Sequence, residues 1–474
     1  MSTLFYELMI AWELLAIVVT LLLSAYLITC LLTAVFAPPR PRRYDAHPKY
    51  PMVSIVIPVY NEPPEIVRAS IESWKAVRYP AFEIVLADDS SPPLELGDPS
   101  VRIVRREGRE GFKGGALRHA FDLLDARSEW MVIFDADFLV DPDVLVRFTE
   151  HFREGVGAVQ GFQAMGRNDP PSYLSRFSEE FHVVANQILA GRHRYGGFVG
   201  IQGTVEAYRI AAVREIGGIA PYPTANEDLD TTFRLRKAGW KILYDPRIVG
   251  RGVAPERYRV FFVQNTRWTS STVREYRRHW GSFLRTRSVP AREKVDSAFF
   301  LLTWTNSLVV TPTLVFLPWA LLSLHLIPLW LSIFITILPL ALFTLPLFRG
   351  APWKLALTGW MGYYLLLIPG YFVMFRAVLL GIFTDPGFAR TDKTRAGSEA
   401  STLSSARYGP RVAGRDGGTI DLYHRVLCAH CGERLTHREV LFYAVGAPDV
   451  GAMVCRRCLG TRERRRRAPR SASA

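Results

Sequence analysis

Charge is what this 474-residue chain lacks in two places. Residues 5–36 and 298–383 are almost free of Asp, Glu, Lys and Arg and rich in Leu, Ile, Phe and Trp, whereas 50–280 has the mixed composition of a globular domain. At this length, that distribution excludes a single soluble core and implies bilayer helices around a large soluble insert. The first apolar stretch, Leu4 to Phe36, also lacks a small-residue cleavage site and keeps Glu7 and Glu13 near its start, so it reads as a retained anchor rather than a signal peptide. Arg40, Arg42 and Arg43 follow it at once, which places the insert on the cytosolic side of a multi-pass protein of the plasma membrane.

Aromatic residues are missing from the Arg-rich end, where six arginines lie between 462 and 470. With no platform for stacking bases, nucleic acid is disfavoured as a partner, and the net charge of +14 reads as attraction to a membrane surface. Cysteine is scarce too, with five residues in all, four of them in two CxxC pairs: Cys428-Ala-His-Cys431 and Cys455-Arg-Arg-Cys458. Two such turns can present four thiolates tetrahedrally to a structural Zn²⁺, and a zinc ribbon of this kind is a candidate docking point for a protein partner. Disulfides are the alternative, which a cytosolic tail opposes. Cys30 lies within the first span as a small apolar thiol.

Residues 298–348 are long enough for two spans, broken near 325–328. Residues 355–383, interrupted by Pro369-Gly370 and Arg376, form either a third span or a broken, re-entrant or interfacial element. The expected organisation is therefore an anchor at 1–43, a soluble domain with interfacial helices at 44–290, membrane helices at 291–390, a flexible linker at 391–420, and the zinc ribbon with its Arg tail at 421–474.

Within the insert, short β-branched runs alternate with helical patterns: Val53-Ser-Ile-Val-Ile57, Glu83-Ile-Val-Leu86, Val101-Arg-Ile-Val104, Met131-Val-Ile-Phe134 and Gly157-Ala-Val-Gln160, with helices near 64–76, 114–127 and 141–153. That rhythm predicts an α/β fold with a mostly parallel, Rossmann-like sheet and ligand sites at the carboxyl ends of its strands. Those ends are polar. The first strand runs into Pro58-Val-Tyr-Asn-Glu62, the second into Asp88-Asp89, and Trp130-Met-Val-Ile-Phe-Asp-Ala-Asp137 ends on two carboxylates spaced i, i+2. Each exit alone is explained by helix capping or a turn. Three on one sheet edge favour a site for a metal-bound phosphate, and Gly111-Phe-Lys-Gly-Gly115 adds flexible amides and a cation.

These blocks resemble the family-2 glycosyltransferases, inverting enzymes of the GT-A fold that use nucleotide-sugar donors, over residues 50–285. Asn226-Glu-Asp-Leu-Asp230 looks like the family's ED motif, and Gln264-Asn-Thr-Arg-Trp268 like the QxxRW signature of its membrane-embedded members. Gly111-Phe-Lys-Gly-Gly-Ala-Leu-Arg118, Phe134-Asp-Ala-Asp-Phe138, Phe198-Val-Gly-Ile-Gln-Gly-Thr204 and Gly239-Trp-Lys-Ile-Leu243 are similar to blocks of the cellulose synthase superfamily, particularly its glucomannan and mannan synthase-like branch. The resemblance implies Asp228 as the general base. It places Asp88, Asp89, Lys113, Asp135, Asp137, Gln264 and Arg267 on the donor and Gly203, Glu227 and Trp268 on the acceptor. Asp137 and Asp135 would bind Mg²⁺ or Mn²⁺, whose charge, with that of Lys113, offsets the charge that builds on the leaving diphosphate.

Two departures leave the sugar open. Asn226 stands where a small residue or Thr is usual, and Phe198-Val-Gly-Ile-Gln-Gly replaces the Phe-Phe-Cys-Gly-Ser type of cellulose synthases. The expected reaction is transfer from UDP-glucose or GDP-mannose to a growing β-linked polysaccharide. Two alternatives stand beside it: addition of one sugar to a membrane lipid, and a non-catalytic assembly protein. Residues 274–283 read as an interfacial or an ordinary solvated helix, residues 173–188 as an interfacial or a core helix, and Phe388-Ala-Arg-Thr-Asp-Lys393 as a gating loop or a solvated linker.

Overall fold

The computed structural model describes residues 3–36, 50–168, 171–221, 224–323, 337–384, 411–413 and 419–421. It divides into two compact units, residues 1–346 with 354–400 and residues 347–353 with 401–474. In the second, the strands Arg411–Ala413 and Thr419–Asp421 pair antiparallel. Cys428, Cys431, Cys455, Cys458 and the Phe388–Lys393 segment lie outside the described residues, as do residues 324–336 around the expected break between spans.

The first unit is built on an eight-stranded sheet. Its strands are β1 (Met52–Val59), β2 (Phe82–Asp88), β3 (Val101–Val104), β4 (Ser128–Ile133), β5 (Leu139–Val140), β6 (Val156–Met165), β7 (Glu206–Arg209) and β8 (Lys241–Gly252), in the order β3-β2-β1-β4-β7-β6-β8-β5. β1 reads as an almost unbroken apolar run because both of its faces are covered. Val53, Ile55 and Ile57 point into one core with Trp74 and Trp130, and Val56 points into the other with Val85, Met131 and Ile133. Helices α2 (Pro64–Lys75), α3 (Phe112–Asp122), α4 (Val144–Thr149), α5 (Tyr173–Tyr195), α6 (Ile210–Glu215) and α7 (Glu227–Lys237) supply the remaining packing.

The sheet is mostly parallel as expected, six of its eight strands running one way, but it is mixed. β1, β2, β3 and β4 pair parallel, as do β6 and β8, but β7 runs antiparallel between β4 and β6, and β5 antiparallel to β8. β7 has four residues, too few to show a period, and β8 contains Pro246, which cannot donate to the ladder. The register of β6 against β8 accordingly jumps there, from Gly161↔Asp245 to Phe162↔Val249.

The long helix α8 (Tyr258–Arg285) follows the sheet and leads to α9 (Ala291–Thr305) and α10 (Ser307–Ser323). Among the described residues, three helices are long and apolar enough to cross a membrane: Glu7–Phe36 within α1 (Thr3–Phe36), Ala291–Val315, and Trp353–Phe383. The last comprises α11 (Trp353–Gly362), a π turn at Tyr363–Leu367 and α12 (Ile368–Phe383). Pro369 cannot supply an i→i−4 bond, and the widened turn just before it keeps the helix continuous. Helix α5 is the packed alternative: Phe177 is fully buried, and Gly191 lies directly on the backbone of Cys30 in α1.

Candidate active site

The antiparallel placement of β7 is what brings the site together. Ile133, the last residue of β4, is registered against Glu206, the first of β7, so the loop before β7 lies where β4 releases Asp135. The Asp135 amide donates to Thr204 Oγ1 at 2.9 Å, tying the two ends. Lys113, in the first turn of α3, reaches both segments: its Nζ donates to Asp135 Oδ1 at 2.7 Å and to the Gly203 carbonyl at 2.5 Å. Gly203 has φ +84°, a conformation that costs an L residue about 1–2 kcal/mol. A Cβ there would come within 3.1 Å of Asp228 Oδ2, so the missing side chain is also what admits the Asp228 carboxylate.

Asp228 comes from the opposite wall, in the first turn of α7, where its Oδ1 accepts from the Leu229 amide at 2.8 Å. It forms no salt bridge among the described residues. Burial, reinforced by the neighbouring Glu227 carboxylate, pushes its pKa up to about 7 against the opposing pull of Lys113 and the Leu229 amide. Burial also disfavours the Lys113 charge, yet Asp135, Glu227 and Glu206 outweigh it and hold the ammonium above the usual lysine range. Lys113 is thus a fixed cation among four carboxylates.

Asp135 is 30% exposed in its side chain, whereas Asp137 is buried, with Oδ2 accepting from the Val253 amide at 3.1 Å just past β8. Both line the same cleft, joined by Lys113, Gly203, Glu227, Asp228 and, from one face of α8 at i, i+3 and i+4, Gln264, Arg267 and Trp268. Burial lowers the Arg267 pKa, while Glu227, Asp135 and Asp228 favour its charge. The Trp268 ring meets His182 of α5 edge-on, with centroids 6.2 Å apart.

The two acids at the end of β2 part company. Asp89 lines the cleft and is held by Arg106 through two bonds of 2.9 and 2.7 Å. Asp88 is outside the lining: its carboxylate accepts from the Ser90 amide at 3.0 Å, the Leu94 amide at 2.9 Å and Arg105 Nε at 3.0 Å, and so fixes the following loop. Arg109 lies over the Tyr60 ring at 3.2 Å and, with Arg257 and Arg267, is one of three guanidinium groups lining the cleft. Sequence reasoning missed it.

Sequence reasoning also missed Glu206. It is buried behind Gly203, accepting from that residue's amide at 2.9 Å, and burial followed by the Asp228 charge raises its pKa well above the usual carboxylate range, against the pull of Lys113. The signal was a lone carboxylate in the apolar run Val205-Glu-Ala-Tyr208, where an unpaired charge is not tolerated.

A second acidic group is built differently. Asp230, Glu275 and His279 bring ligand atoms within 4.8 Å of one another. However, Asp230 is bonded to Arg234 at 2.7 Å and to His279 Nε2 at 2.7 Å, and Glu275 accepts from Thr224 at 2.6 Å and pairs with Arg278 at 3.2 Å. With Lys237 Nζ at 3.1 Å from Nδ1, a neutral His279 satisfies both sides, in keeping with the downward shift that burial imposes on it. This is a closed network that braces α7 against α8.

Residues 50–271 match the family model described as "Glycosyltransferase like family 2". They form a glycosyltransferase family 2 domain. The sheet is of the GT-A-like mixed α/β kind. The chain is similar to "Probable glucomannan 4-beta-mannosyltransferase 15" of Arabidopsis thaliana, 30% identical over 305 residues, covering 57% of this chain and 55% of the relative. It is also similar to "Glucomannan 4-beta-mannosyltransferase 2" of the same plant, 29% identical and covering 60% of this chain and 57% of the relative. The chain spans a little over half the length of these curated relatives. Among solved structures, "Mannosyltransferase PcManGT from Pyrobaculum calidifontis in complex with GDP-Man and Mn2+" overlays with a TM-score of 0.49 at 17% identity, covering 78% of this chain and 99% of that one. The resemblance of the sequence blocks to the glucomannan and mannan synthase-like branch is borne out.

Proposed function

We propose that this protein is a membrane glycosyltransferase that moves mannose from GDP-mannose, with inversion, onto a growing β-linked polysaccharide. The observation that carries the reading is the placement of Asp228. A half-buried carboxylate with proton affinity near neutrality faces, across Gly203, the Lys113–Asp135 pair of the opposite wall. The choice of donor rests on the relatives, named for glucomannan 4-β-mannosyl transfer.

In this reading Asp228 accepts the proton of an acceptor hydroxyl as its oxygen bonds to the anomeric carbon, and the bond from that carbon to the diphosphate breaks with its electrons going to the leaving group. A pKa near the working pH suits a general base, which contributes on the order of 10²- to 10⁴-fold. A single displacement with no enzyme nucleophile inverts the centre. Lys113, Arg109 and Arg267 lie in the cleft to meet the negative charge of the diphosphate, arginine through two parallel bonds. Asp135 and Asp137 offer hard oxygens two residues apart on one rim, a set that fits Mg²⁺ or Mn²⁺ and would hold it. When bound, the ion supplies further stabilisation of the departing diphosphate. Trp268 gives the acceptor sugar a flat apolar face, with Gly203 and Glu227 beside it. The two CxxC pairs are assigned to a structural Zn²⁺.

The test is turnover by the purified full chain in nanodiscs, offered GDP-mannose, UDP-glucose, UDP-N-acetylglucosamine and UDP-galactose in turn. Preferential consumption of GDP-mannose with a product too large to migrate as a lipid supports the proposal. No turnover of any donor overturns it, and a solely organic-soluble monoglycosyl product replaces the polymer by a glycolipid.

A further inference from the structure

A second concavity, of about 510 Å³, opens at the opposite edge of the sheet from the cleft. It is walled by the beginnings of β6 and β8, the carboxyl end of α5 and the amino end of α9. Its charges are unbalanced. Arg153, Arg236, Lys241 and Arg292 face Glu154 and Glu293, and Arg236 already takes both oxygens of Glu293 at 2.6 Å. The lining thus holds four cations to two carboxylates, with His193 beside them. Lys241 and Arg292 form no ion pair among the described residues. Arg292 is laid across the wall at Gly196, where a Cβ would come within 2.7 Å of its guanidinium.

The level of this pocket relative to the apolar helices identifies its surroundings. One turn beyond Arg292, Asp296 of α9 accepts from Arg192 Nε at 2.9 Å and from the Phe198 amide at 2.7 Å. On the neighbouring side, Arg194 of α5 donates to the Thr33 carbonyl at 3.0 Å and to that of Ala34, at the carboxyl end of α1. Just past this polar layer Tyr26 of α1 stacks on Phe299 of α9 at 4.8 Å, and from there both helices are apolar. The pocket thus sits at the ends of two candidate spans, with Arg292 in the first turn of Ala291–Val315 and Ala34 in the last turn of Glu7–Phe36, at the depth of lipid headgroups.

We propose that this pocket binds the phosphate of an acidic phospholipid from the leaflet in which α1 and α9 end. Guanidinium forks match phosphate oxygens in pairs, and an anionic leaflet concentrates such groups beside juxtamembrane cations. Free phosphate shares this chemistry, but it has no reason to prefer the headgroup level. The site lies across the sheet from the cleft, so lipid held there would fix how α9 and α5 meet the sheet without touching the donor.

The experiment is native mass spectrometry of the full chain in detergent, titrated separately with phosphatidylglycerol, phosphatidylcholine and inorganic phosphate. The wild type is expected to hold phosphatidylglycerol at least ~10-fold more tightly than phosphatidylcholine, since each cation near a headgroup contributes roughly a factor of five. The triple variant Arg153→Gln/Lys241→Gln/Arg292→Gln is expected to lose that preference. Gly196→Ala, which displaces Arg292 without changing charge, is expected to weaken it in a protein of unaltered composition elsewhere. Equal binding of the two lipids by the wild type, an undiminished preference in the triple variant, or displacement of the lipid by millimolar phosphate would each overturn the assignment.

Discussion

Asp228 and Asp230 lie two residues apart on α7, the first half-buried and the second fully buried, and the structure treats them in opposite ways. Asp230 is enclosed by Arg234 and His279, an ion pair on one side and a hydrogen bond on the other. Asp228 has a backbone amide and a distant lysine, with Glu227 working against it, and its pKa climbs to about 7. A buried acid whose partners are complete is part of the frame. A half-buried acid that the fold leaves short of partners, in a cleft lined by cations and a second half-buried acid, is available for chemistry.

This contrast can be broken at several points. The largest expected effect is at Asp228 itself: Asp228→Asn keeps size and loses the base, so kcat should fall on the order of 10²- to 10⁴-fold while calorimetric binding of the nucleotide sugar stays within a few-fold. Asp230→Asn should do the reverse. Removing one partner of a buried pair typically costs ~3–5 kcal/mol, so thermal unfolding should shift down markedly while the folded fraction keeps most of its turnover. Gly203→Ala combines a strained φ with a methyl against the Asp228 carboxylate. An expected stability loss of about 1–2 kcal/mol should come with a drop in kcat larger than in donor affinity. The smallest expected change is at Glu227→Gln, which removes a charge that holds the Asp228 pKa up and should move the acid limb of the rate profile to lower pH.

Much of the site could be read from sequence because its residues are tied to local signals. Asp135 and Asp137 close an apolar strand, Lys113 opens a helix after glycine, Asp228 sits in a helix's first turn, and Gln264, Arg267 and Trp268 fall on one helical face; all line one cleft. What escaped depends on partners far along the chain. Asp88 and Asp89 look alike as neighbours, but only the loop reaching Leu94 makes one of them structural. Glu206 lies on a four-residue strand whose direction is set by β4 and β6 on either side, so neither the mixed sheet nor the acid behind Gly203 had a periodic signature. The parallel half was legible for the converse reason, since β1, β2 and β4 are apolar runs long enough to identify themselves.

The pH dependence of kcat/KM with GDP-mannose tests the account most directly, because it reports ionisation of the base in the free enzyme. Asp228 must be unprotonated to act, so a pKa raised to about 7 predicts a rate that falls roughly tenfold per pH unit below neutrality and levels off above it. A profile flat from pH 5 to 8, with its acid limb near the ordinary carboxylate range of about 4, would contradict it.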